Sequence, residues 1–265
     1  MKHNPTTEFL FQLLALLVAV ILVHVAYVTL VWPGAQVVLE ARAAAQALGD
    51  TLELERSFLV VIKDYEQEAC FVLMLWACAI IAWKARYVLA ERRHLREDLL
   101  ATEDDARILP EDARAYARRL QALPEDEREY LLPRTLLAAL RRFGATASIA
   151  DVAQSVRESC EVEAEHLDAE LSMIRYIVWA IPSIGFIGTV RGIGQALGQA
   201  HRAVEGDIVG VTASLGVAFN STFIALVISL FIMFLMHQLQ LLQDRLVFDA
   251  QSYCDQRLLR HLAVR

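Results

Sequence analysis

From Phe9 to Trp32 the chain reads FLFQLLALLVAVILVHVAYVTLVW, without one charged side chain. A hydrocarbon layer about 30 Å thick takes roughly 20 apolar helical residues to cross, so this run marks the membrane as the solvent to test along the rest of the sequence. Composition agrees: 56% of the 265 residues are hydrophobic and only 22% charged, more apolar than a soluble domain of this size. That excludes intrinsic disorder. A net charge of -7 provides no general basic footprint for nucleic acid.

Three further runs qualify. Ala69 to Trp83 is short, but Lys84 and Arg86 can snorkel along their stems and extend it to Ala90. Tyr176 to Val190 lies between Arg175 and Arg191, and Ile208 to Gln243 holds only His237 as a titratable group. At 1.5 Å per residue the last run is about 54 Å long, so its Gln-rich end leaves the bilayer as helix. The first run is read as a span that stops at Pro33-Gly34. It exceeds the roughly 7 to 15 apolar residues of a cleaved signal peptide.

The fold class that follows is all-α: a polytopic membrane protein with four transmembrane helices and a helical cytoplasmic region. The expected division is 1–33, first span; 34–68, periplasmic segment; 69–90, second span; 91–170, cytoplasmic helices; 171–243, third and fourth spans; 244–265, cytoplasmic tail. Orientation comes from positive charge. Lys84, Arg86, Arg92, Arg93 and Arg96 crowd the exit of the second span, whereas residues 34–68 carry Arg42, Arg56 and Lys63 among more numerous acids. Both termini are thereby expected inside. Residues 91–170 are broken by Pro110, Pro124, Pro133 and Gly144 into short amphipathic helices, and SIADVAQSVRESCEVEAEHLDAELS enters the third span without a breaker.

No P-loop, H-E-x-x-H or G-x-S-x-G is present, so an enzyme is not expected. Four cysteines without C-x-x-C or metal-like spacing point to packing, and no cofactor or metal site is expected. His24 and His237 read as packed or interfacial side chains. Gly188-x-x-x-Gly192 and Gly194-x-x-x-Gly198 are small-residue pairs that let helices approach closely. The fourth span repeats small or weakly polar residues at Gly210, Ser214, Ala218, Thr222, Ala225 and Ser229. This stripe either packs against the third span or, where Asn220, Ser221 and Thr222 cluster, lines a polar conduit.

Antiparallel helices bring residues to one depth when they are equidistant from the turn. Thr189 and Thr222 are centred on Glu205 and Gly206, inside the turn HRAVEGD, so their hydroxyls are expected at one level, about 25 Å of helix from the apex. Spans one, three and four hold no Asp or Glu, and a proton relay through hydrocarbon ordinarily needs an ionisable group. The acid has to come from elsewhere. Arg175 and Arg191, about 24 Å apart along a helix, can reach opposite interfaces.

WAIPSIGFIGTVRGI and LGVAFNSTFIALVISL resemble the two signature helices of the MotA/TolQ/ExbB proton-channel family. Pro182, Gly185, Gly188, Thr189, Val190 and Gly192 fit the first, and Ala218, Thr222 and Leu226 the second. The likeness runs from Arg175 to Leu239. It implies the channel-forming subunit of a bacterial inner-membrane, ion-driven motor: a homopentamer in membrane lipid around single-span ExbD/TolR/MotB-like partners that carry a membrane Asp, with no nucleic acid involved. By the same resemblance Thr189 and Thr222, with Ser221 and Asn220, belong to the ion pathway. Arg191 stands where Exb-type and Tol-type members carry an aromatic, and is read as one half of an interfacial or partner ion pair. Asn220-Ser221 replaces an Asp-Thr pair of some branches, so neither the branch nor the choice of proton or sodium is selected. The competing reading is a non-conducting membrane scaffold or sensor acting through its cytoplasmic helices.

Overall fold

The computed structural model describes residues 5–47, 57–95, 99–100, 107–204, 206 and 208–264. Glu205, half of the expected turn centre, and Arg96, one of the orienting arginines, lie outside the described residues. Among the described residues eleven α-helices follow one another: α1 Pro5–Ala26, α2 Trp32–Ala47, α3 Phe58–Val61, α4 Tyr65–His94, α5 Ala113–Gln121, α6 Glu125–Arg128, α7 Leu131–Thr146, α8 Ile149–Glu170, α9 Ser172–Gly198, α10 Ala200–Val204 and α11 Val209–Tyr253. Among the described residues no strand forms; one isolated bridge pairs Ile108 with Leu262. Four helical stretches, 6–42, 65–93, 149–198 and 209–261, are long and apolar enough to cross a membrane. The chain is an all-α, multi-pass membrane protein.

Two compact units emerge, one from residues 6–81 and 173–236, the other mainly from 82–172 and 237–264. In the first, α1 leaves Leu10, Leu13, Leu14, Leu17 and Ile21 exposed, which hydrocarbon accommodates and water would not. Pro33-Gly34 does not stop this helix, contrary to the sequence expectation. A π-turn over Tyr27–Val31, with the Trp32 N–H bonded to the Tyr27 carbonyl, widens the ladder and puts Pro33 in the first turn of α2. A Cβ at Gly34 would lie 2.6 Å from Leu59 Cδ1 of α3, so that side chain would have to shift to admit one. The segment before α4 is pinned by the Tyr27 hydroxyl donating to the Ile62 carbonyl (2.7 Å) and the Trp32 indole donating to that of Lys63 (3.0 Å).

The second unit closes around Phe143, Leu136, Leu140, Leu120, Ile108, Cys254 and Leu258, all fully buried. Helix α7 begins at Leu131, before Pro133 rather than after it, because proline in a first turn gives up an N–H that has no intrahelical partner. The Glu91 carboxylate, itself buried, accepts the Leu131 N–H at that helix start. Ala147 adopts the left-handed conformation (φ 50°) that turns the chain into α8, where the Ser148 hydroxyl accepts the Asp151 N–H at 3.3 Å. Only the turn at Leu171 separates α8 from α9. Lys84 does not snorkel as the sequence suggested: it is 5% exposed and its ammonium lies 3.0 Å from Glu170. The tail of α11 packs on the end of α8, since Gln240, Gln243 and Val247 face Leu167 and Leu171 across a cavity of about 20 Å³, room for one water.

Candidate functional site in the α9–α11 hairpin

Proline inside a helix removes one backbone hydrogen bond, and in hydrocarbon the freed carbonyl has to find another donor. Pro182 lies within α9 and frees the carbonyl of Val178; the buried Ser229 hydroxyl of α11 donates to it at 3.1 Å. This bond fixes one level of the hairpin. Above it, glycine brings the backbones together. A Cβ on Gly185 would collide with Ala225, one on Gly188 would sit 2.6 Å from Ser221 Oγ, and one on Gly192 would lie 2.7 Å from the Ala218 amide nitrogen. Gly188-x-x-x-Gly192 therefore is a contact pair. Gly194-x-x-x-Gly198 is not, for both glycines face open space, contrary to the sequence expectation. The small-residue stripe of α11 is used for packing at Ser214, Ala218, Ala225 and Ser229, all buried.

At this closest approach the Thr189 and Thr222 hydroxyls meet, at one level as the equidistance argument requires. Thr189 Oγ1 is also 3.3 Å from the Gly185 carbonyl and 3.1 Å from that of Ala218, and Thr222 Oγ1 is 3.2 Å from the Gly185 carbonyl. Both threonines are half-buried. Ser221, fully buried, turns to the other side and donates to the Val217 carbonyl at 2.9 Å. Asn220 is half-buried and joins none of these contacts.

Residues 127–252 match the model of the MotA/TolQ/ExbB proton channel family. Over that stretch, a little under half of its length, the chain is similar to this family. No curated protein and no solved structure matches the chain. The MotA/TolQ/ExbB segment runs from α6 into the end of α11 and so takes in α7 and α8, beyond the Arg175–Leu239 stretch that carried the sequence resemblance. The match, together with the apolar helices, supports a membrane subunit of the proton-channel type.

Arg191 finds its ion-pair partners inside the chain. Its Nη2 donates to Glu66 Oε2 at 2.7 Å and lies 3.7 Å from Asp64 Oδ1. Next to Glu66, the buried Gln67 donates to Ser221 Oγ at 3.4 Å, and Glu68 pairs with His24 at 2.8 Å. Sequence reasoning passed over Glu66 and Gln67 because it counted them with the loop before the second span. The signal was there: an acidic triplet opening one span and a lone arginine closing another.

Proposed function

We propose that this chain is the channel-forming subunit of an ion-driven motor of the bacterial inner membrane, passing protons, with sodium as the alternative, and delivering mechanical work through a single-span partner. Five copies enclose the partner's membrane segments, both termini face the cytoplasm, and the partner supplies the membrane Asp that spans one, three and four lack. Thr189 and Thr222 orient water or meet that carboxylate, with Ser221 and Asn220 beside them. The observation that carries this reading is the meeting of the two threonine hydroxyls in the stretch that is similar to the proton-channel family. The second reading, a non-conducting scaffold, draws on the self-contained core around Phe143, which needs no ion path.

Thr189→Val and Thr222→Val keep shape while removing one hydroxyl each. Each variant is purified with the single-span protein that accompanies it, and proton flux into liposomes is measured beside oligomer mass. The motor reading expects intact complexes with flux cut at least tenfold. Intact complexes with unchanged flux return both threonines to packing, and a complex that never conducts supports the scaffold.

A further inference from the structure

As they stand, the two threonine hydroxyls are occupied with each other and with the Gly185 and Ala218 carbonyls. A path for water and ions requires them to let go. Besides the glycine packing, α9 and α11 are held at this level by the first turn of α4. Gln67, with no solvent exposure, uses its whole amide: Nε2 donates to the Val61 carbonyl (3.0 Å) and to Ser221 Oγ (3.4 Å), and Oε1 accepts the Asp64 N–H (2.9 Å). Ser221 spends its own proton on Val217, so toward Gln67 it acts as the acceptor. Glu66 takes Arg191. The two grips converge at Gly188, where a Cβ would sit 2.6 Å from Ser221 Oγ and 3.3 Å from Glu66 Cγ. One turn of α4 thus holds α9 two residues after Thr189 and α11 one residue before Thr222.

The ionic half of this grip is built to release. Arg191 is 35% exposed whereas Glu66 is 13% exposed, so the cation has the freer side chain, and a partly exposed ion pair is a weak bond. Its Nε is buried with no hydrogen-bond partner, so Glu66 and Asp64 do not use up the donors of the guanidinium. A membrane-borne acid on a single-span partner has the chemistry to take it.

We propose that Glu66 and Gln67 are positioning residues that keep the Thr189–Thr222 pair closed, and that transfer of Arg191 from Glu66 to a partner carboxylate frees the hydroxyls. This rests on the threonine path proposed above. A residue that merely supports the fold lowers flux when it is lost; a latch raises it.

The test measures resting proton flux of the purified complex in liposomes carrying an internal pH dye, with oligomer mass recorded for every variant. Arg191→Gln is expected to raise resting flux several-fold. Glu66→Gln should raise it less, because Asp64 at 3.7 Å still holds the guanidinium. Gln67→Met should also raise it, and exchanging the charges (Glu66→Arg with Arg191→Glu) should return it toward the original level. Intact complexes of Arg191→Gln with flux at or below the original overturn the latch. If that variant does not assemble, Glu66→Gln with Asp64→Asn, which leaves Arg191 in place, carries the same expectation and the same overturning result. Thr189→Val separates the two proposals. Unchanged flux on its introduction removes the threonine path, whereas a loss of flux together with no rise in Arg191→Gln removes only the latch.

Discussion

The Ser229 hydroxyl repairs the backbone that Pro182 breaks, by donating at 3.1 Å to the Val178 carbonyl four residues before the proline. The proline is therefore coupled to a serine of α11 that lies 51 positions along the chain from the Val178 carbonyl it caps. Ser229→Ala should leave that carbonyl unpaired and cost about 1 kcal/mol of stability in detergent. In a Pro182→Ala background, where the helix supplies its own donor, the same change should cost almost nothing. Equal losses in both backgrounds, by thermal unfolding, would dissolve the coupling.

Glycines of α9 should divide by the face they occupy. Gly192→Ala forces a Cβ to within 2.7 Å of the Ala218 backbone nitrogen, which has no room to retreat. The hairpin should loosen and the melting temperature should fall. Gly194→Ala meets open space and gains the better helix propensity of alanine, about 1 kcal/mol. Its melting temperature should hold or rise. A fall in both would show that Gly194 also carries a contact.

Lys84 and Glu170 form a buried pair, at 5% and 11% exposure, with His166 Nε2 3.3 Å from the second carboxylate oxygen. Removing one partner of a buried pair strands the other charge. Lys84→Met should cost about 3 kcal/mol, moderated by His166, and Lys84→Met with Glu170→Gln should recover most of it. Urea or thermal unfolding of the two variants beside the original protein reads this directly.

Ser148 caps α8 through the Asp151 N–H. Ser148→Ala should cost about 1 kcal/mol and Ser148→Asp close to nothing. Hydrogen exchange should accelerate over the first turn of α8 in the alanine variant while α7 keeps its protection.

The two buried cysteines of the Phe143 core, Cys160 and Cys254, should be silent to a maleimide until the protein unfolds. Labelling of either in the native protein at the rate of a free thiol would mean that α8 and the tail of α11 separate.

The sequence by itself determined the four apolar spans, because an uncharged run of sufficient length is a local property that hydrocarbon reads directly. It also determined the level shared by Thr189 and Thr222, since in an antiparallel pair depth follows from counting residues back from the turn. What tertiary structure decided was which faces meet. Gly188 and Gly194 look alike in sequence, yet α11 covers one and leaves the other open. Pro33 looks like a stop until a π-turn admits it. Glu66 and Arg191 stand 125 positions apart and Gln67 and Ser221 stand 154 apart; no periodicity within a single helix records such pairings. They follow from how α4 seats on the α9–α11 hairpin. That seating is fixed by the summed shape of many small side chains, and no single motif carries it.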